Sequence, residues 1–248
     1  MRVFVGFDDT DARDSEYGTG KVVRWFQPML PEGCRCRGVV RQQLLVCDDI
    51  PYTSHNSAAC MVLEVAAPDL LASLVERAVR HIETHAADGS DPGLCVMAED
   101  HVALTALMAF GRRCTHAVAT QAEALRQVDG AHLSGNGGTN DGIIGAAAAV
   151  GLTASGWSGR YIELGDLRDA PEVMTVAEIQ RQNIEVVAED RDARLPAPED
   201  RVLTHRWLRP RLIGHRPVLL VQPKGDGVWE NIYCKRRKTE FNIKKQGR

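Results

Sequence analysis

The first eleven residues restrict the fold more than any other stretch. Met1-Arg-Val-Phe-Val-Gly-Phe-Asp-Asp-Thr-Asp11 sets apolar side chains over residues 2–7, the pattern of a buried β-strand. The strand then runs into three carboxylates, Asp8, Asp9 and Asp11, within four positions. Carboxylates crowded at a buried strand end repel one another and lose hydration, so they require compensation. A divalent cation is the simplest compensation. Oxygen-only ligation suits Mg²⁺, which commonly arrives with a phosphate. Gly18-Thr-Gly-Lys21 follows and offers backbone N–H groups, the Thr19 hydroxyl and the Lys21 cation beside the small residues Gly18 and Gly20. Val22–Phe26 reads as the start of a helix whose N-terminus would add its dipole. A local reading competes: Asp9 or Asp11 caps a turn, and the Gly-x-x-x-x-Gly-Lys-Ser/Thr spacing of a Walker A loop is absent.

A second glycine-rich stretch points the same way. In Leu133-Ser-Gly-Asn-Gly-Gly-Thr-Asn-Asp-Gly-Ile-Ile-Gly-Ala-Ala-Ala-Ala-Val150, four of the ten residues from Ser134 to Ile143 are glycine. The loop turns into a small-residue helix from about Asp141, suited to close packing on a sheet. Gly137, Gly138 and Gly142 supply backbone donors, and Thr139, Asn140 and Asp141 supply polar side chains, for an anion site at the helix start. A flexible linker before a buried helix is the competing reading.

Bulk properties remove several classes. A chain of 248 residues with 44% hydrophobic content supports a sizeable core, as one large domain or two small ones. A net charge of −3 gives no global case for nucleic-acid binding, although Cys234-Lys-Arg-Arg-Lys238 through Arg248 is a basic tail. That tail reads as a solvated terminus or as an RNA or anionic-ligand contact. Seven cysteines are scattered without a Cys-x-x-Cys pair, so free thiols are expected and a structural zinc site is not. The chain opens directly into the strand, and the longest apolar run, Ile143–Val150, is far too short for a membrane span. A soluble, cytoplasmic protein without membrane contact is expected.

Further strands are expected over Gly38–Val46, Ser57–Val65, Gly93–Ala98, Ser158–Leu164, Ile184–Val187 and Pro217–Gln222. Helices are expected over Pro68–Thr84, His101–Phe110 and Met174–Asn183, with a strand followed by a helix start in Cys114–Leu125. Glu189–Arg201 reads as a surface loop. Residues 66–130 read as an α+β unit, ferredoxin-like in pattern, inserted between 1–65 and 131–248. His81-x-x-x-His85 has legal metal spacing without a third ligand, and Ser155-Gly-Trp-Ser-Gly159 has the wrong order for a nucleophile elbow.

Three segments, in one order between Gly6 and Gly151, resemble the 2-agmatinylcytidine synthetase family, which joins agmatine to the wobble cytidine of an isoleucine tRNA. Gly6-Phe-Asp-Asp-Thr-Asp11 matches its Gly-Ile-Asp-Asp-Thr-Asp signature. Ile50-Pro-Tyr-Thr-Ser-His-Asn56 partly matches its Ile-Pro-Tyr-x-Thr-Arg-Gly-Asn segment, and Gly142-Ile-Ile-Gly-Ala-Ala-Ala-Ala-Val-Gly151 matches its Gly/Ala helix. The resemblance implies an α/β (α+β) fold, with a kinase-like core domain using ATP and Mg²⁺ and an inserted ferredoxin-like subdomain. It implies metal ligation by Asp8, Asp9 and Asp11, phosphate contacts by Thr19 and Lys21, and substrate contacts by Tyr52, His55 and Asn56. Thr19 matches the family's phosphorylated loop threonine. In the family, ATP phosphorylates a cytosine carbonyl oxygen and an amine displaces the phosphate. The family's OB-fold and zinc ribbon, which grip tRNA, are not expected in this sequence.

An ATP-dependent ligase or phosphotransferase is therefore expected, acting on a small molecule or on tRNA, the latter with a partner supplying RNA-binding domains. The alternative is an ATP-binding regulatory or assembly module that does not turn nucleotide over.

Overall fold

A computed structural model describes residues 1–53, 55–165, 167–192 and 194–232. The basic tail and Cys234 lie outside the described residues. In chain order the elements begin β1 (Arg2–Asp8), α1 (Thr19–Trp25), β2 (Cys34–Gln43), β3 (Ser57–Val65), α2 (Leu70–His85) and β4 (Gly93–Ala98). Next come α3 (Leu104–Arg113), α4 (Gln121–Arg126), β5 (His132–Gly135), α5 (Gly142–Ser155) and β6 (Arg160–Glu163). The last are β7 (Val173–Thr175), α6 (Val176–Gln180), β8 (Glu185–Ala188), β9 (Arg201–Leu203), β10 (Arg211–Ile213), β11 (Arg216–Gly225) and β12 (Val228–Asn231). The fold is mixed α+β. It divides into two compact units, Met1–Gly165 with Arg211–Pro217, and Asp166–Pro210 with Val218 onward.

The first unit is an antiparallel sheet in the order β5-β4-β1-β3-β2-β6-β10, covered on both faces. Double coverage explains why residues 3–7 of β1 are apolar without alternation. Its Val3, Val5 and Phe7 join Ala59, Met61 and Leu63 beneath Val23 of α1, Phe26 just after it, and Leu74, Ala78 and Ile82 of α2. On the other face Phe4 joins Ala58, Cys60, Cys95 and Met97 beneath Leu107 and Phe110 of α3 and Ala146–Val150 of α5. Residues 66–130 contribute α2, β4, α3 and α4 to this unit.

The packing of helix α5 shows why its sequence is rich in glycine and alanine. A Cβ at Gly6 of β1 would overlap the Ala146 carbonyl, and one at Gly151 would overlap the Leu107 carbonyl of α3. The helix thus touches a strand and a neighbouring helix backbone to backbone. Side chains of ordinary size would push it away from both.

In the second unit β7, β9, β12, β11 and β8 form the sheet, with β8/β11 and β9/β12 parallel. Val176, Ile179, Val202, Leu219, Val221 and Trp229 are buried in it, and the Trp229 indole donates to Asp200 Oδ2 at 2.8 Å.

Several sequence expectations are corrected. No strand forms over Cys114–Thr120; the chain turns there, and Thr120 and Glu123 cap α4 reciprocally, so the helix starts at Gln121. Helix α3 starts at Leu104 instead of His101, whose ring accepts the Ala103 N–H at 3.2 Å and holds a preceding turn. Thr175 likewise caps α6 with Glu178, and the residues before it become β7. Strand β6 starts only at Arg160, after Gly156 closes α5 in the left-handed region at φ 74°. His81 donates from Nε2 to the Val22 carbonyl at 2.8 Å and its ring lies 4.5 Å from that of His85, so this pair packs α2 on α1. Among the described residues no helix is long and apolar enough to cross a membrane.

Gly151→Val should cost about 1–3 kcal/mol through overpacking against α3, read as a fall of several degrees in thermal midpoint.

Candidate functional site

The carboxyl end of β1 opens into a cleft of about 210 Å³ within the first unit. Antiparallel pairing sets Asp8 opposite Gly93, so the segment entering β4 lies beside the chain leaving β1. That register brings in Asp91, which no motif in the sequence singles out. The cleft is lined by Asp8, Asp9, Asp11, Asp49, Asp91 and Asp141, and among the described residues no lysine or arginine lines it. Leu44, Ile50, Pro51, Val118 and Ile144 give it an apolar wall.

Close packing brings Asp8 into place. Its carboxylate lies against Gly145 in the first turn of α5, where a Cβ would collide with Oδ2. Gly93 and Gly142 meet back to back, and the Gly142 N–H donates to the Asp91 carbonyl at 3.0 Å. Burial, and then the neighbouring Asp9 charge, push the Asp8 carboxyl up to about 8. Asp9 is raised to about 6 by burial and by the charges of Asp91, Asp11 and Asp141. Its backbone sits at φ 53°, a left-handed turn that aspartate tolerates better than most residues.

Asp11 has a different environment. It accepts from the Thr19 N–H at 3.0 Å, the Thr19 hydroxyl at 2.9 Å and the Thr53 hydroxyl at 2.9 Å. The buried Thr19 Oγ in turn accepts from the Thr10 N–H at 3.2 Å. Asp11 therefore ties the start of α1 to the 50s loop. Among the described residues no three aspartate, glutamate, histidine or cysteine side chains converge as a ready metal cage.

The other expected residues divide. Tyr52, His55, Asn56, Asp141 and Gly142 line the cleft with the aspartates. Asn56 uses its side-chain amide to hold the Leu45 carbonyl at 2.6 Å. Gly137, Gly138, Thr139 and Asn140 do not line it; the Thr139 N–H donates to the Asp91 carboxylate, and Asp141 accepts from Gln121 at 2.7 Å. Gly18 caps α1, and Gly20 sits beneath Ile162. Lys21 is not in the cleft: its ammonium lies 5.0 Å from the centre of the Trp25 ring and 5.6 Å from that of Tyr17.

Six aspartates, and among the described residues no lysine or arginine, give the cleft a negative lining. Mg²⁺ characteristically takes one or two carboxylates and fills its remaining positions with water and phosphate oxygens, so the absence of a full protein cage suits it. Asp8 and Asp9 offer hard oxygen donors whose charge no side-chain cation in the cleft offsets.

No family model and no curated protein matches the chain. Solved structures of enzymes that act on tRNA do resemble its fold. A tRNA fluorescent labeling enzyme is 28% identical, with a TM-score of 0.53 over 61% of this chain and 36% of that one. Apo TiaS, a tRNA agmatidine synthetase, is 25% identical, with a TM-score of 0.51 over 61% and 35%. TiaS in complex with tRNA and ATP gives 26% and 0.52 over 61% and 36%. The chain spans about a third of the length of these structures.

The raised carboxyls make stability depend on pH in a stated direction. A folded-state pKa above the unfolded value means the native protein holds protons that the unfolded chain releases. Without divalent cation, stability should be greatest near pH 4 and fall as pH rises towards 8. Asp8→Asn should flatten that fall and raise the thermal midpoint at pH 8; a variant melting with the wild-type pH profile would contradict the assignment.

Proposed function

We propose that the chain is an MgATP-dependent enzyme that activates an acceptor oxygen by phosphoryl transfer, related in its chemistry to agmatidine synthetase. The observation that carries this reading is the pair Asp8 and Asp9, held with raised pKa in a cleft lined by six aspartates and, among the described residues, by no lysine or arginine. Such a site repels a bare nucleotide. It accepts one whose phosphates arrive with a divalent ion. The fold similarity to a complex of TiaS with tRNA and ATP adds support.

In this reading Asp8 and Asp9 hold the ion, and Asp91 adds negative charge behind them. Bound Mg²⁺ would supply charge neutralisation at the phosphates. Gly142 and Gly145 let the start of α5 approach closely, so that the positive end of its dipole lies beside the Asp8 carboxyl. Asp11, through Thr19 and Thr53, keeps α1 and the 50s loop in register. Tyr52, Leu44, Ile50 and Val118 form the wall against which a planar acceptor would lie. The acceptor oxygen bonds to the γ-phosphorus as ADP leaves, and an amine then displaces the phosphate. Phosphoryl transfer depends chiefly on positioning and charge neutralisation, which is what these residues provide. The acceptor class we assign is a nucleobase of tRNA.

Calorimetric titration of MgATP should show binding to the wild type and none to an Asp8→Ala/Asp9→Ala protein with an unchanged circular dichroism spectrum. Chelation of the metal should abolish the wild-type signal. Asp9→Asn should lower ATP turnover by at least about a hundredfold, as expected when a positioning charge is lost. Metal-independent ATP binding would overturn the proposal. Tight MgATP binding without turnover, over a range of amines and tRNA, would favour a nucleotide-binding module.

A further inference from the structure

Helix α4 begins at a place that its own sequence determines. Thr120 Oγ accepts the Glu123 N–H at 3.3 Å, and Glu123 Oε2 accepts the Thr120 N–H at 2.8 Å, so the first turn is closed reciprocally. The other carboxylate oxygen, Glu123 Oε1, accepts from Nη1 of Arg113, the last residue of α3, at 2.6 Å. Arg113 Nη2 donates to the Val118 carbonyl at 3.2 Å. The turn between α3 and α4 is thereby braced, and its Ala117, Val118 and Ala119 line the cleft.

Gln121 is the first helical residue after that cap. Its Nε2 donates to the Thr139 carbonyl at 2.8 Å and to Asp141 Oδ1 at 2.7 Å. Both protons of one side-chain amide are thus committed, one to the glycine loop and one to the carboxylate at its end. Thr139 turns its own N–H onto the Asp91 carboxylate. Asp91 and Asp141 both line the cleft, so the loop and α4 together hold two of its carboxylates in fixed orientations. Asp141 does not cap α5 with its side chain, which leaves Oδ2 uncommitted while Oδ1 is held. Gln121 is neutral. It orients this carboxylate without cancelling its charge, as a lysine or arginine in the same place would.

We infer that Gln121 is a positioning residue, orienting Asp141 towards the hydration shell of the divalent ion held by Asp8 and Asp9. The inference rests on the ion site proposed above. Mg²⁺ keeps several waters, so Asp141 contributes without coordinating it directly. Removing a group that orients a carboxylate around a metal costs roughly ten- to a hundredfold in ion affinity. The capping box and Arg113 place Gln121 before any ion arrives, which is the preorganisation such a role requires.

Mn²⁺ binding to the full chain without nucleotide, followed by electron paramagnetic resonance, tests the role with Mn²⁺ standing in for Mg²⁺. The wild type should bind, and Asp8→Ala/Asp9→Ala should not. Gln121→Ala should weaken binding roughly tenfold, and Asp141→Ala by at least as much. Because the two residues act as one unit, Gln121→Ala should change affinity by less than about twofold in the Asp141→Ala background. Circular dichroism checks that each variant is folded. A tenfold loss that persists in that background places the effect in the loop, through Thr139, and overturns the positioning role. Wild-type affinity in a folded Gln121→Ala protein overturns it too, and leaves the Asp8 and Asp9 site standing. Absence of wild-type binding, or binding that survives Asp8→Ala/Asp9→Ala, removes the ion site and the inference with it.

Discussion

Contact between the backbone of α5 and the end of β1 governs the rest of the first unit. Because Gly6, Gly142, Gly145 and Gly151 present no side chains, the helix lies directly on β1, β4 and α3. The same approach traps the Asp8 carboxylate against the first helical turn, away from bulk water. Tight packing thus generates the electrostatic demand of the cleft. A helix carrying leucines at those positions would stand off, hydrate Asp8 and relieve its raised pKa. The polar site is a product of the apolar core.

Charge is divided around that contact. Asp8 and Asp9 bear the mutual repulsion, whereas Asp11 has hydroxyl and amide donors around it and serves as a clasp. A run of three aspartates therefore contains two kinds of residue, separated by one threonine. Asp91 reinforces the first kind through space while its carboxylate takes the Thr139 N–H. The glycine loop before α5 is in this way drawn onto a carboxylate of the protein itself.

Much of this was legible in the chain. The apolar run of residues 3–7 announced a buried strand, and the Gly/Ala run after Asp141 announced a close-packed helix. The crowding of Asp8 and Asp9 could be read from their spacing. Asp91 could not, because its place depends on β4 pairing antiparallel with β1, a long-range register that local pattern does not encode. Lys21 misled for the complementary reason. Its position after Gly-Thr-Gly suggested phosphate, but Tyr17 and Trp25 offer its ammonium two aromatic faces instead. The short strands β5, β9 and β10, of three or four residues, were invisible because their pairing partners create them.

The left-handed backbone of Asp9 carries a consequence for how such a site can change through descent. At φ 53° the position admits glycine, asparagine and aspartate readily and most other residues only with strain. Of those three, aspartate alone is charged. Variation there is channelled into a narrow corridor: the lineage either keeps the charge or drops to a neutral residue that preserves the turn. A descendant that lost the charge would keep the shape of the junction, and its backbone alone would not reveal the loss.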